Sequence, residues 1–143
     1  MLSSRLSGVP PVRRETEWLE LEYDRGIFRF SVKAGAVLES SVFEEYIEIA
    51  EQMLGDDVPV PILVRLGKIK STTAEAMRLV VEPRYSKLCL RCAIIVENPV
   101  ARVIGSVFLG LTRPPYPTRL FSGSEDTALD WLTEGQADRQ DAS

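Results

Sequence analysis

Strand-like and helix-like segments alternate along most of this chain, and that alternation constrains the fold more than any other feature. Residues 18–23 and 27–32 both alternate apolar and polar side chains, and the tight turn Asp24-Arg25-Gly26 between them predicts a hairpin. Further strands are predicted at 61–66, 89–96 and 118–121, and helices at 42–54, 72–81, 99–110 and around 128–132. The order is ββαβαβαβα, which predicts an α/β fold with a mixed sheet of about five strands and parallel core strands.

Both ends of the chain have compositions that predict disorder. Residues 1–16 are rich in Ser, Pro and Arg, and residues 135–143 contain almost nothing to bury. The first segment lacks the apolar stretch of a signal peptide, and the most apolar stretch, 100–111, is far shorter than the roughly 20 residues that span a bilayer. We therefore predict a single domain over residues 17–134, with no membrane span, between two disordered tails.

The absence of histidine removes the catalytic and metal sites that depend on imidazole. The two cysteines, Cys89 and Cys92, are too few for a disulfide scaffold and favour a reducing cytoplasm. In a regular strand these two side chains would face opposite ways, so the spacing predicts inert core thiols. The carboxylates form no recognisable acid–base pair. The sequence thus predicts no enzyme, no metal and no cofactor.

Charge is unevenly distributed along the chain. Residues 65–119 carry ten basic and three acidic side chains, whereas the whole chain has a net charge of −4. A basic segment can indicate nucleic-acid binding, but neither interleaved aromatic residues nor a zinc pattern accompanies it. We therefore expect solvated faces of opposite charge on one domain and no nucleic-acid partner.

Hydroxyl and lysine side chains cluster at the predicted start of the second helix. Ser71, Thr72 and Thr73 follow Lys68 and Lys70. Free N–H groups and the positive end of the helix dipole favour an anion at such a place. The cluster could hold a phosphate, either covalently on a hydroxyl or from a ligand. The alternative is an ordinary helix cap with the lysines in solvent.

The predicted helix over residues 100–111 is apolar nearly all round, unlike a helix that covers one face of a sheet. Three explanations are open: burial under the proline-rich loop 112–117, contact with a protein partner or a second copy, or contact with an apolar ligand. For Tyr116, in that loop, simple packing on the prolines is a further alternative. The candidate contact residues are Arg102, Val103, Ser106, Val107, Tyr116 and Arg119.

The stretches 98–102 (NPVAR), 108–121 (FLGLTRPPYPTRLF) and 128–132 (ALDWL) resemble a family of small uncharacterised bacterial proteins labelled STAS/SEC14-like. The order of elements resembles the STAS, or SpoIIAA-like, fold. Sporulation-type STAS proteins carry a phosphorylatable serine at the start of the helix after the second core strand, and a kinase switches their partners there. The resemblance implies this role for Ser71 or Thr72, although Lys70 replaces the acidic residue of that family.

These observations predict a cytoplasmic, non-enzymatic regulatory or protein-interaction module of STAS-like fold. It would bind a protein partner or itself, as a homodimer, and phosphorylation at a helix N-terminus would switch it. The alternative is a carrier of a small, lipid-like molecule, with its apolar pocket between the helix at 100–111 and the loop at 112–117.

Overall fold

The computed structural model describes the backbone of residues 10–142 and the side chains of residues 10–134. Its strands are β1 (Val12–Glu15), β2 (Leu19–Asp24), β3 (Ile27–Val32), β4 (Val37–Leu38), β5 (Val60–Arg65), β6 (Ser71–Thr72), β7 (Cys89–Ile95) and β8 (Thr118–Phe121). Its helices are α1 (Ser40–Leu54), α2 (Ala74–Leu79), α3 (Pro83–Ser86), α4 (Pro99–Thr112) and α5 (Glu125–Ala142), with a 3₁₀ turn at Gly55–Asp57.

Six strands form one mixed sheet in the order β1-β2-β3-β5-β7-β8. The first three strands are antiparallel neighbours, and β3, β5, β7 and β8 run parallel. The β2–β3 hairpin turns at Arg25 and Gly26, where φ is +53° and +79°, as a two-residue turn matched to strand twist requires. The predicted α/β class and mixed sheet are confirmed. The short strands β4 and β6 pair separately, as a small parallel sheet.

Residues 12–15 form the edge strand β1 where the sequence predicted a disordered tail. Val12 lies opposite Tyr23, and the Arg13 Nε atom is 2.6 Å from a carboxylate oxygen of Glu22 on β2. The backbone of β1 finds its hydrogen-bond partners on β2, so the strand at 12–15 depends on pairing rather than on any alternation of its own. Residues 1–9 of the predicted tail lie outside the described residues, and the backbone of α5 continues past residue 134 to Ala142.

Helices cover both faces of the sheet. On the first face, alternate strand residues such as Leu21, Phe30 and Ile62 are buried beneath α1, α2, α3 and α4 in the larger core cluster. On the second face, α5 packs Ala128 and Leu132 against a smaller cluster. Side chains alternate along each strand, so successive residues point to opposite faces of the sheet. This alternation supplies an apolar core beneath the helices on each face.

A β-bulge in β7 changes the side-chain directions expected for the cysteines. Val60 pairs with Cys89 but the next residue, Pro61, pairs with Arg91, so Leu90 is an extra residue on its strand. The extra residue places Cys89 and Cys92 in the same core cluster. The prediction that they face opposite ways is therefore wrong, because it assumed a regular strand. Both are free, buried thiols, and burial raises the pKa of Cys89.

Asn98 fixes the start of α4 and ties it to the loop that follows β5. Its side-chain oxygen accepts a hydrogen bond from the Ala101 amide at 2.9 Å, and its side-chain nitrogen donates to the Gly67 carbonyl at 2.6 Å. The predicted Asn98 cap and Pro99 start are thus present in α4. Among the residues that the structure describes, no helix is both long enough and apolar enough to cross a membrane.

Candidate functional site

Ser71 and Thr72 lie in the short strand β6, whereas the sequence predicted that they begin a helix. Pairing with Val37 and Leu38 of β4 holds both residues extended. Thr73 is the N-cap of α2, and its hydroxyl accepts from the Ala76 amide at 3.1 Å. With only six residues, α2 offers a weak dipole and presents it to Thr73 rather than Ser71. The predicted phosphate site at a helix N-terminus is therefore not formed by Ser71 and Thr72.

The four predicted phosphate-site residues differ in exposure. Lys68, Lys70 and Ser71 are exposed. Thr72 is partly buried, and its hydroxyl donates to the Leu38 carbonyl at 2.8 Å. That bond occupies the Thr72 hydroxyl in holding β6 to β4. Of the two predicted hydroxyls, Ser71 is thus the accessible one.

An apolar row of four side chains stands exposed on α4; we call it the α4 stripe. The exposed fractions are 50% for Val100, 62% for Val103, 48% for Val107 and 42% for Leu111. Their spacing of three, four and four residues places them along one side of the helix. Burial under the proline-rich loop therefore does not account for this side of α4. A row of exposed large apolar residues is a recognised mark of an interaction surface.

The opposite side of α4 is fixed in the core. Ala101, Gly105 and Phe108 are buried against the first face of the sheet. Gly105 lets the helix approach closely: a Cβ there would lie 3.0 Å from Leu120 and 3.3 Å from Val96. Core packing therefore determines which side of α4 faces solvent.

The charged residues within α4 and directly after it are all basic. Arg102 is exposed within α4, Arg113 follows at its C-terminal end, and α4 contains no acidic residue. Ser106, also exposed, lies between Val103 and Val107 in sequence. The predicted contact residues Arg102, Val103, Ser106 and Val107 are thus all exposed on one helix, with Arg102 turned away from the stripe.

A groove runs between α4 and the β6 region. The α4 side contributes Val100, Val103, Ile104 and Val107, preceded by Pro99. The other side is formed by Lys70, Ser71, Thr72 and Met77. The structure therefore brings part of the predicted phosphate cluster next to the predicted contact helix. Nothing in the local sequence signals this proximity, because it depends on how β6 pairs with β4.

Tyr116 and Arg119 do not belong to this surface, contrary to the sequence prediction. Tyr116 is buried, and its hydroxyl donates to the Val80 carbonyl at 2.6 Å. Arg119 lies on β8 with its guanidinium 5.3 Å from the ring centre of Phe121, which belongs to the second-face cluster. Alternation along β8 sends Arg119 to the second face and therefore away from Arg102.

An apolar cavity of about 80 Å³ lies on the first face of the sheet. Its walls come from strands β3 to β7, from helices α1 to α4, and from the loop that carries Tyr116. The helix at 100–111 and Tyr116 contribute to this wall, but the sheet and the other helices supply most of it, so the cavity lies deeper than the pocket predicted between that helix and the loop at 112–117. Ile104, Gly105 and Phe108 form the α4 side of the wall.

The hydroxyl groups in the cavity wall are paired with protein atoms. Tyr46 and Tyr85 have their hydroxyl oxygens 2.7 Å apart, while Tyr116 and Thr72 donate to backbone carbonyls. Burial raises the pKa of all three tyrosines well above the usual value of 10, so they are neutral near pH 7. The cavity therefore offers an apolar ligand a neutral lining.

A charged cluster on the second face was missed by sequence reasoning. Glu125, at the start of α5, binds Arg29 with one carboxylate oxygen and Arg65 with the other, the second contact being 3.4 Å. Arg65 also contacts Glu97 at 2.7 Å. These partners lie 32 to 96 residues apart in the chain, so no short-range pattern could indicate them. The cluster tethers α5 to the sheet.

Among the described residues, no group of three or more acidic or cysteine side chains could hold a metal ion.

Known proteins include a matching family and solved structures of similar fold. A family model described as a domain of unknown function, DUF7793, matches residues 20–136. A search of curated proteins found no match. Among solved structures, an uncharacterized protein of the DUF3478 family from Shewanella loihica PV-4, described as having a SpoIIAA-like fold, is 19% identical with a TM-score of 0.53. That alignment covers 86% of this chain and 92% of the other.

Two further solved structures are similar. The unphosphorylated form of the anti-sigma factor antagonist SpoIIAA is 14% identical with a TM-score of 0.52, and the alignment covers 80% of this chain and 96% of that one. A protein of unknown function from Arthrobacter sp. FB24 is 31% identical over 85% of this chain and 97% of its own, with a TM-score of 0.30. The DUF3478 protein and SpoIIAA thus confirm the resemblance to the SpoIIAA-like fold. The chain belongs to the DUF7793 family of domains of unknown function, and its fold is SpoIIAA-like.

Proposed function

We propose that this domain is a non-enzymatic regulatory module that binds a protein partner through the α4 stripe. The observation that carries the proposal is the exposure of Val100, Val103, Val107 and Leu111 on a helix whose other side is locked in the core. Such a row suits an amphipathic helix, which would place its own apolar residues between these side chains. Burial of these side chains would supply the main attraction.

The charges beside the stripe define the chemistry of the partner. Lys70 lines the groove next to the apolar row, and neither that groove nor α4 contains an acidic residue. In a symmetric contact with a second copy, this surface would bring no acidic side chain to Lys70, so the contact would lack charge complementarity. We therefore propose a partner whose apolar residues are flanked by Asp or Glu. A homodimer is then an outcome that argues against this proposal.

Phosphorylation of Ser71 is the proposed switch. SpoIIAA, which has the same fold, is described as an anti-sigma factor antagonist with an unphosphorylated form. Ser71 is exposed and lines the groove beside Lys70. A phosphate adds a charge of about −1.5 to −2 at pH 7, which would offset the positive charge that attracts an acidic partner. We expect phosphorylation to weaken partner binding.

The chemistry of the interior supports a non-enzymatic role. In the cavity the tyrosines are neutral and paired, and the Thr72 hydroxyl is committed to Leu38. General acid–base catalysis needs a group that exchanges protons near the working pH, and these hydroxyls do not provide one. The buried free thiols support the proposal that the domain works in a reducing cytoplasm.

Site-specific photo-crosslinking in the source cell tests the proposal. A benzophenone amino acid replaces Val103 in one variant and Val12, an exposed valine on β1, in the control. We expect Val103 alone to give an adduct with another protein. With that protein purified, Val103→Glu should lower the affinity at least tenfold, Val12→Glu should leave it unchanged, and added salt should weaken it.

The same purified pair tests the switch. Ser71→Glu should weaken binding, whereas Ser71→Gln, which has a similar shape and no charge, should not. Adducts only between two copies of this chain would replace the partner proposal with a homodimer. Identical adducts from positions 12 and 103, or unchanged affinity of Val103→Glu, would refute the role of the stripe.

A further inference from the structure

We propose that the cavity and the adjoining groove bind one single-chain fatty acid, with the alkyl end in the cavity and the carboxylate at Lys70. The starting observation is that the cavity and the groove share three lining residues, Thr72, Met77 and Ile104. These side chains form the partition between the interior space and the surface. A chain that passes between Met77 and Ile104 would extend from one space into the other.

The cavity wall determines the chemistry of the inserted end. Apolar and aromatic side chains from the sheet and four helices dominate the wall, and its hydroxyls are already hydrogen-bonded within the protein. Among the described residues, no buried side-chain polar atom lacks a hydrogen-bond partner. Water needs several polar partners to occupy a cavity, whereas an apolar cavity accepts hydrocarbon. At about 80 Å³ the cavity has room for a few methylene groups.

The partition itself can move. Met77 is unbranched and flexible, and methionine adapts its shape to irregular contacts. It belongs to α2, a helix of only six residues, and α3 adds only four more. Such short helices depend on tertiary contacts rather than on their own stability. Met77 and its helix can therefore open the cavity without disturbing the sheet.

The groove supplies a place for the rest of the ligand. Val100, Val103 and Val107 provide an apolar wall along α4, and Lys70 and Ser71 line the opposite side. An ammonium group and a hydroxyl are suited to a single carboxylate. This combination of an apolar interior end and a cationic outer end favours a single-chain fatty acid over a neutral hydrocarbon.

Occupation of the groove also predicts regulation of partner binding, and only this consequence rests on the proposed function. The fatty acid would cover Val103 and Val107, which the partner helix requires. Ligand and partner would therefore compete. Direct binding of the fatty acid needs no partner, so the two proposals can fail separately.

The test uses the defatted full-length chain and dodecanoate as the probe, at concentrations below micelle formation. The chain contains three methionines, and ¹³C-methyl labelling gives each its own NMR signal. We expect saturable binding by calorimetry, together with a shift of the Met77 signal and little change at Met53, which lies on α1 outside both linings. Methyl dodecanoate, which lacks the charge, should bind about tenfold more weakly.

Two matched pairs of variants locate the ends of the ligand. Lys70→Gln should lower the affinity about fivefold at low salt, whereas Lys68→Gln, at an exposed lysine outside the groove lining, should change it less than twofold. Ile104→Phe should fill the partition and lower the affinity at least tenfold, whereas Leu111→Phe on the same helix should not. Circular dichroism verifies that each variant folds.

Absence of saturable binding, or binding that shifts Met53 as much as Met77, would overturn the proposal. Equal affinities of the wild-type and Ile104→Phe chains would also overturn it. If Ile104→Phe does not fold, the Met77 shift in the wild-type chain decides on its own. In the presence of a purified partner, dodecanoate should displace it; binding without displacement would refute the competition and leave the ligand site intact.

Discussion

The hydroxyl oxygens of Tyr46 and Tyr85 lie 2.7 Å apart inside the apolar core and join α1 to α3. Both side chains are almost completely buried. One hydroxyl donates to the other, so each partly compensates the cost of removing the other from water. This contact fixes part of the cavity wall, and its energetics can be measured.

Removing the first hydroxyl of this pair should lower the free energy of unfolding more than removing the second. Tyr46→Phe leaves the Tyr85 hydroxyl buried without its partner, so we expect the free energy of unfolding to fall by about 1–3 kcal/mol. The double variant Tyr46→Phe/Tyr85→Phe leaves no orphaned hydroxyl and should be less destabilised than the sum of the single variants. Urea unfolding of all four proteins gives the coupling energy. Strict additivity would show that the two hydroxyls do not interact.

Alkaline pH should destabilise the fold through its tyrosines. Burial raises the pKa of Tyr46, Tyr85 and Tyr116, and burial with a hydrogen bond to Asp57 raises the pKa of Tyr23 to about 12. The unfolded chain loses these protons near pH 10 while the folded chain keeps them, so stability is full below pH 10 and falls above it. Each of the three buried tyrosines should contribute up to about 1.4 kcal/mol per pH unit, and the partly exposed Tyr23 less.

The ultraviolet absorbance of tyrosinate measures this titration directly. At pH 10 we expect almost no tyrosinate in the native protein and about half-ionised tyrosines in urea. These four are the only tyrosines of the chain, so no other tyrosine contributes. Ordinary titration of several tyrosines in the native state would contradict the burial of this cluster.

Two glycines on α4 should respond in opposite directions to substitution by alanine. At Gly105 the new Cβ would lie 3.0 Å from a Leu120 methyl and 3.3 Å from a Val96 methyl, so these core side chains must give by a few tenths of an ångström. At Gly110 nothing lies within 4 Å of the new Cβ, and alanine favours the helix by about 1 kcal/mol. We therefore expect Gly105→Ala to destabilise and Gly110→Ala to stabilise the protein in thermal unfolding. Equal effects would contradict the close packing of α4 on β8.

The Glu125 carboxylate should stabilise the docking of α5. Glu125→Gln removes the charge that binds Arg29 and Arg65, and we expect a loss of about 0.5–1 kcal/mol because the site is partly exposed. The loss should shrink in 1 M salt, where the Debye length is only about 3 Å. Asp130→Asn, at an exposed position of the same helix, is the matched control in urea unfolding. A loss that is independent of salt would argue against an electrostatic origin.

The local sequence around Ser71 and Thr72 does not reveal their secondary structure. Ser71 and Thr72 have the composition of a helix start, yet pairing with β4 holds them in β6, and Thr73 caps α2 instead. A two-residue strand has no detectable periodicity. Its partner, β4, lies more than thirty residues earlier in the chain, so only the assembled fold decides between strand and helix cap.

The strand β1 and the bulge at Leu90 also depend on pairing with a neighbouring strand rather than on local sequence. Residues 12–15 have no alternation, and an edge strand forms because the Arg13–Glu22 pair and the ladder to β2 are available. The extra residue in β7 is visible only from the register against β5. It places the Cys89 and Cys92 side chains in the same core cluster, whereas ideal strand geometry had predicted that they face opposite ways.

Periodicity by itself determined the layered α/β fold, since alternation in residues 18–32 and helical spacing in the later segments follow from how each element buries one side. It also identified the helix at 100–111 as unusually apolar. Only the tertiary structure decided which side of that helix meets solvent, because the close approach at Gly105 orients α4 and leaves Val103 outside. Helical spacing records which residues share a side, whereas contacts between distant segments select the side that is covered.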